Sequence, residues 1–161
     1  MIEQLTPGGR PAFVVNVEVH LHRDGRWLLI KRGEQQAHAA GLLSGVGGKV
    51  DLPAGPVVPD ILEQTARREV AEEIDVDLTG VPLTYVESSL FTADDGDLVV
   101  NVVFAAALPA DAEPFPASPD EVAAILHLTF DEADADPNLP PWIRRSLRLA
   151  VTATAAGGSG A

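Results

Sequence analysis

The chain contains no cysteine, few aromatic residues and no long apolar run. Disulfide bridges, thiolate metal sites and cysteine nucleophiles are therefore excluded. The most apolar stretch, Leu98 to Ala107, is interrupted by Asn101 and is shorter than the roughly 18 residues that a membrane-spanning helix needs. The first ten residues lack the basic start and apolar middle of a secretory signal. These absences predict a cytoplasmic protein that does not cross a membrane.

Basic residues are also scarce. Lysine and arginine number 11 against 24 acidic residues, which gives a net charge of −13. A charge of this sign opposes binding to nucleic-acid polymers and to anionic membrane surfaces. It does not oppose a small anionic substrate, because a bound metal ion can invert the local field.

The length of 161 residues and the 46% of hydrophobic residues suit one globular domain. We predict this domain over residues 1–155 and a flexible tail over 156–161. Alternating patterns predict strands over 12–22, 27–31, 81–91, 98–108 and 124–129, with a short apolar segment around Val46; helices are predicted over 60–74 and 141–154. The order favours an α/β fold in which a mixed sheet lies between helices. Trp27, Trp142, Phe91, Phe104 and Phe130 are predicted to lie in the core.

The helix over 60–74 carries an unusual acidic pattern. At about 100° per residue, Leu62, Ala66, Val70 and Ile74 form a core-facing stripe. Glu69 and Glu73 fall at the margin of that stripe, and Glu72 lies one step further round. An ordinary solvated face would lie opposite the core. The pattern therefore predicts carboxylates along a cleft between helix and sheet.

The same carboxylates repel one another. Glu69 forms like-charged pairs with Glu72 and Glu73 at spacings that cost a helix roughly 0.2–0.5 kcal/mol each. Arg68 relieves part of this cost through its spacing to Glu72. A divalent cation would relieve the rest, and a site with oxygen ligands alone favours Mg²⁺ or Mn²⁺.

The segment from Gly47 to Val76 resembles the Nudix box. Gly47-Gly48-Lys49-Val50 stands upstream of Arg68-Glu69-Val70-Ala71-Glu72-Glu73-Ile74-Asp75-Val76. Three features depart from the family pattern. Asp60 replaces its first glutamate, eleven residues separate Gly48 from Asp60 where the pattern has five, and Asp75 replaces its last glycine. Aspartate tolerates the left-handed conformation of a helix end better than most residues.

The resemblance implies an α/β/α sandwich and a hydrolase that cleaves a diphosphate linkage in a nucleoside diphosphate derivative. By matched position, Glu69, Glu72, Glu73 and the carbonyl of Gly48 would bind the metal ion. Glu69 or Glu72 would accept a proton from water, with Glu121 as a further candidate, and Arg68 would orient the carboxylates. Arg32 and Lys49 are candidates for phosphate contacts, although solvent-facing charges explain them equally well. Similar proteins are commonly dimers, so a homodimer remains open.

Two other interpretations compete with catalysis. A Nudix-fold module could bind a nucleotide as a sensor without cleaving it, although this chain keeps all three box carboxylates. Alternatively, the acidic helix could be an ordinary solvated surface. The four histidines show no shared metal-binding spacing, and no serine has a suitably placed His–Asp pair, so zinc and serine-hydrolase sites are not favoured.

Overall fold

The computed structural model describes residues 6–51 and 55–157. Within them lie the strands β1 (Val14–Arg23), β2 (Arg26–Arg32), β3 (Leu43–Ser44), β4 (Val46–Lys49), β5 (Thr84–Thr92), β6 (Leu98–Ala107) and β7 (Val122–Leu128), and the helices α1 (Ile61–Ile74), α2 (Phe130–Asp134) and α3 (Pro141–Gly157). The sheet has the order β3-β2-β1-β6-β5, while β4 pairs with β1 and β7 pairs with β2. Among the strands of this part of the chain, only β1 and β6 pair in parallel, which confirms the predicted mixed sheet.

One face of the sheet packs against α1. Val17, Val19 and Leu21 of β1 are fully buried there, as are Val70 and Ile74 of the helix. Each such side chain contributes about 1.5–3 kcal/mol when it leaves water. The predicted apolar stripe of this helix is confirmed, and it fixes which way the neighbouring glutamates face.

The opposite face packs against α3. Ile143, Leu147 and Ala150 of this helix join Leu29 and Ala105 of the sheet in a second buried cluster. The two helical layers confirm the α/β/α sandwich. None of the helices within the described residues has the length and apolarity needed to cross a membrane.

Two predicted core residues are on the surface. Trp142 exposes 61% of its area because it precedes the core-facing Ile143 by one residue, about 100° around α3. Phe91 exposes 48%, since it lies near the end of β5, the outermost strand on its side of the sheet. Trp27 and Phe104 are buried as predicted, and Phe130 packs half-buried against the α3 cluster.

Some boundaries and short elements also differ from the predictions. Helix α3 continues to Gly157, so residues 156 and 157 are helical, and the rest of the predicted tail lies outside the described residues. The five-residue helix α2 was not predicted. It begins with a capping box between Thr129 and Glu132, which satisfies backbone donors that so short a helix leaves free.

A buried polar cluster joins β1 to α3. The Nε2 of His20 lies 2.8 Å from the Oγ of Ser146 and 3.4 Å from the Oε1 of Glu18. Burial raises the pKa of Glu18 to about 7, an effect that Arg32 opposes and Glu87 reinforces. Burial also lowers the pKa of His20 to about 4. Both groups are therefore held towards their neutral forms beneath α3.

This cluster makes stability depend on pH. Because the pKa of Glu18 rises from 4.5 to about 7 on folding, wild-type stability falls as the pH rises through that interval. We expect Glu18→Gln to be more stable than wild type by on the order of 2 kcal/mol at pH about 8, with little difference at pH about 5. Urea unfolding of both proteins at the two pH values measures this. The same stability difference at both values would contradict it.

Candidate active site

A cleft opens where α1 meets the ends of β1, β2 and β4. The side of α1 that carries Glu69 and Glu73 forms one wall, and the glycines of β4 form the floor. Arginine, lysine and amide side chains complete it. The lining residues are Asn16, Ile30, Arg32, Gln36, Gly47, Gly48, Lys49, Asp51, Glu69, Glu73 and Glu121. The cleft thus combines four acidic with two basic side chains.

Glu69 packs directly on the backbone of β4. A Cβ atom added to Gly48 would overlap with the Glu69 carboxylate, so glycine is required for this close approach. Only 9% of Glu69 is exposed. Burial raises the pKa of Glu69, while Arg68 lowers it and Glu72 raises it again. The carboxylate therefore lies in a partly dehydrated position beside the Gly48 backbone.

Glu73 is the more deeply buried carboxylate, with 6% exposure. Its Oε2 is buried and has no hydrogen-bond partner among the described residues. Burial is the main cause that raises the pKa of Glu73 to about 8, and the charges of Glu121 and Glu69 add to the rise. Arg32 and a hydrogen bond from the backbone of Gly47 lower this pKa by smaller amounts. An unpartnered buried oxygen among like charges is costly. A cation would remove that cost.

Arg68 holds the acidic side of the cleft in place. Its Nη1 lies 2.9 Å from Glu69 and 3.2 Å from Glu72, and its Nη2 lies 3.2 Å from Asp51. Nη2 also donates to the carbonyl of Lys49 at 3.0 Å. Burial opposes its charge, but the three carboxylates outweigh burial and raise the pKa of Arg68. The guanidinium therefore ties α1 to the end of β4.

The resemblance implies that the carboxylates held by Arg68 are metal ligands, and loss of a group that orients such ligands costs about 10- to 100-fold elsewhere, so we expect Arg68→Lys to lower kcat/KM by about that factor. A lysine has a single ammonium and cannot replace the planar guanidinium fork. Steady-state kinetics on the best substrate measures the loss. Arg67→Lys is the matched control: Arg67 donates to the carbonyls of Leu78 and Val81, so this change should lower thermal stability and leave kcat/KM close to wild type. Equal kinetic losses in both variants would contradict the role of Arg68.

The structure brings together most of the predicted site residues. Glu69, Glu73 and Gly48 line the cleft, and so do Arg32, Lys49 and Glu121. Glu72 does not line it: its side chain is 55% exposed and contacts Arg68. Within residues 6–51 and 55–157, no three acidic or histidine side chains are gathered closely enough to hold a metal ion.

Three polar lining residues, Asn16, Gln36 and Asp51, had not been predicted as site residues. Asn16 belongs to the polar face of β1, and that alternation was the only signal for it. Gln36 donates to the carbonyl of Asp120 and so joins the loop after β2 to the segment before β7. Asp51 reaches the cleft through its ion pair with Arg68. Such contacts between distant segments have no signature in the spacing of the sequence.

Comparison with solved structures shows the same fold. The MutT NUDIX hydrolase from Burkholderia pseudomallei is 28% identical with a TM-score of 0.66, and the match covers 86% of this chain and 98% of that one. The dihydroneopterin triphosphate pyrophosphohydrolase from E. coli is 19% identical with a TM-score of 0.63, over 86% and 96%. An Ap4A hydrolase from C. elegans is 17% identical with a TM-score of 0.66, over 89% and 98%.

Sequence comparisons gave two further results. A search of curated proteins found no significant match. The sequence profile of the NUDIX domain matches residues 12–150, which include every residue that lines the cleft. Members of this family generally use divalent metal cations. The profile match and the shared fold together show that the chain belongs to the Nudix hydrolase family.

Proposed function

We propose that this protein hydrolyses a diphosphate linkage in a nucleoside diphosphate derivative with the help of Mg²⁺. The observation that carries the proposal is the pair of buried carboxylates, Glu69 and Glu73, against the Gly47-Gly48 backbone. An uncompensated acidic pair in a cleft that also holds Arg32 and Lys49 suits a metal-bound phosphate anhydride. Within this class, triphosphates, sugar nucleotides and dinucleotides are the candidate substrates.

The residues present fit a hard divalent cation. Among the described residues, a buried carboxylate oxygen of Glu73 has no hydrogen-bond partner. The carboxylate of Glu69 lies against Gly48, where the absence of a side chain lets it approach the backbone closely. Oxygen ligands of this kind favour Mg²⁺, and Mn²⁺ is the expected substitute. We assign Glu69, Glu73 and the carbonyl of Gly48 as ligands. A further carboxylate comes from Glu72 at the rim of the cleft or from Glu121, which also lines the cleft.

A bound divalent ion would acidify water and neutralise charge on the phosphate oxygens. The side chains then have separate tasks. Glu69 or Glu72 accepts the proton of the attacking water, whose oxygen bonds to one phosphorus while the bridging P–O bond breaks. Lys49 and Arg32 contact the phosphate oxygens. Arg68 orients Glu69 and Glu72 and does not touch the substrate.

The related structures support this substrate class. Two are named for reactions of phosphate anhydrides, on dihydroneopterin triphosphate and on Ap4A. They share the fold of this chain, and the compounds in their names, a triphosphate and a dinucleoside polyphosphate, fall among the candidate substrates proposed here.

A hydrolysis screen tests the proposal. The protein is incubated with Mg²⁺ and a panel of nucleoside triphosphates, sugar nucleotides and dinucleoside polyphosphates, and products are separated by ion-exchange chromatography. We expect release of a nucleoside monophosphate or of pyrophosphate from at least one substrate, and none in EDTA. Glu72→Gln and Glu121→Gln, assayed in parallel, show which of these two carboxylates hydrolysis requires. No product from any substrate, with Mg²⁺ or Mn²⁺, would refute the proposal.

A further inference from the structure

A row of amide and hydroxyl side chains crosses three strands of the sheet. Asn16 of β1 pairs with Asn101 of β6, which pairs with Ser89 of β5. Directly paired residues project from the same face of a sheet. The Nδ2 of Asn16 donates to the Oδ1 of Asn101 at 2.7 Å, which confirms their shared face. Glu87, two residues before Ser89, contacts Arg145 of α3, so this is the face that carries α3.

Helix α3 leaves this part of the sheet uncovered. Asn16 and Asn101 are half-buried and Ser89 is exposed, whereas Glu18 and His20, further along β1, are buried. Phe91 lies two residues beyond Ser89 on the same face of β5, and 48% of it is exposed. We call Asn16, Asn101, Ser89 and Phe91 the amide shelf. It offers a polar row beside an aromatic ring.

The amide shelf has unused hydrogen-bonding capacity. Apart from the bond between them, the side chains of Asn16 and Asn101 have no protein partner in the part of the chain that the structure describes. The carbonyl of Asn16 and the NH₂ group of Asn101 are therefore free. If the oxygen and nitrogen positions of both side-chain amides were exchanged, Asn101 would donate to Asn16, and one carbonyl and one NH₂ group would again be free. Side by side, these two groups match a ligand edge that carries an N–H donor next to an acceptor.

The amide shelf is continuous with the candidate active site. Asn16 also lines the cleft, together with Gly48, Glu69 and Glu73. Neighbouring strands lie about 4.8 Å apart, so the row extends about 10 Å from Asn16 to Ser89. One end of an elongated ligand can therefore reach the carboxylates while its other end lies on the amide shelf.

We propose that the amide shelf recognises the base of the substrate. Asn16 accepts a hydrogen bond from an N–H group of the base, Asn101 donates to the adjacent ring nitrogen or carbonyl, and Phe91 stacks on the ring. Asparagine side chains recognise such donor–acceptor edges elsewhere, with about 1–3 kcal/mol of discrimination for a good bidentate pair. This inference rests on the proposed function for the location of the diphosphate.

Equilibrium binding tests the amide shelf without turnover. The probes are α,β-methylene analogues of ADP, GDP, UDP and CDP, whose bridging CH₂ group cannot be hydrolysed, and methylenediphosphonate, which has no base. With Mg²⁺ present, we expect calorimetry to show that at least one nucleotide analogue binds at least about ten-fold more tightly than methylenediphosphonate. This preference should fall about ten-fold or more in Asn101→Leu.

Two further variants make the test specific. Asn101→Asp can still accept the hydrogen bond from Asn16, but it has no NH₂ group to donate to the base, so it should also lose the preference. This variant keeps the test valid if Asn101→Leu folds poorly. Ser88→Ala is the control, because Ser88 contacts Tyr85 on the other face of β5, and it should keep the preference. A wild-type protein without base preference, or an Asn101→Asp variant that retains it, would overturn the inference. Base-dependent binding without hydrolysis would refute the proposed function and leave the amide shelf in place.

Discussion

Glu73→Gln is expected to lower kcat at least about 100-fold and, at the same time, to make the metal-free protein more stable. Loss of a group that merely supports a metal ligand costs about 10- to 100-fold, so loss of a ligand should cost at least the upper value. The gain in stability follows from burial. Glu73 is 6% exposed, its carboxylate feels the charges of Glu121 and Glu69, and one of its oxygens has no hydrogen-bond partner among the described residues. A neutral amide of the same shape removes the repulsion.

The two effects are measured separately. Steady-state kinetics with Mg²⁺ gives kcat, and thermal unfolding in EDTA at pH about 8.5, above the pKa of Glu73, gives the stability. We expect a rise of roughly 3 °C or more in the unfolding temperature. Glu63→Gln, on the same helix but outside the cleft lining, is the control and should change neither value appreciably. A Glu73→Gln protein with full turnover would exclude this carboxylate from the reaction.

Gly48→Ala is expected to lower kcat/KM at least about 100-fold with a modest effect on stability. The added methyl group would occupy the position of the Glu69 carboxylate. That carboxylate is the end of a flexible side chain, so it can rotate away and the fold can survive. A displacement of about 1 Å at a reacting group is enough to cost about 100-fold in rate.

Gly47→Ala provides the contrast. Its methyl group would overlap with the backbone carbonyl of Val17 in the paired strand β1, and backbone cannot rotate away. We therefore expect Gly47→Ala to be destabilised by about 1–3 kcal/mol. Urea unfolding and steady-state kinetics on both variants compare the two glycines. If Gly48→Ala kept wild-type kinetics, Glu69 would not need its position over the β4 backbone.

Most of the fold could be predicted from the sequence because its signals are local and periodic. The apolar stripe of α1 and the alternation of β1 both appear in the structure. At the end of α1, Asp75 has a φ of 56°, in the left-handed region expected where the family pattern has glycine. The exposure of Phe91 could not be predicted in this way, since it depends on where β5 lies in the sheet and on how far α3 extends across it.

The candidate site was predictable in part for a similar reason. Helical spacing placed Glu69 and Glu73 at the margin of the core, where the structure has them. The same spacing placed Glu72 one step further from the core, and in the structure it contacts Arg68 at the exposed rim of the cleft; only the match to the family pattern grouped it with the other two. Asp51 and Asn16 reach the cleft only through tertiary contacts. Periodicity gives the direction of a side chain on its own helix or strand, but not what the rest of the chain places opposite.

The outermost position of β5 has a consequence for how the protein behaves in concentrated solution. A free strand edge invites association with other chains, and here it displays Tyr85, Leu90 and Phe91, each about half exposed or more. Next to it, the turn between β5 and β6 carries Asp94 and Asp95, and the whole molecule is strongly anionic. Electrostatic repulsion between molecules therefore keeps these edges apart near neutral pH. Acidification towards the titration range of carboxylates would remove that repulsion, and precipitation should begin at this edge.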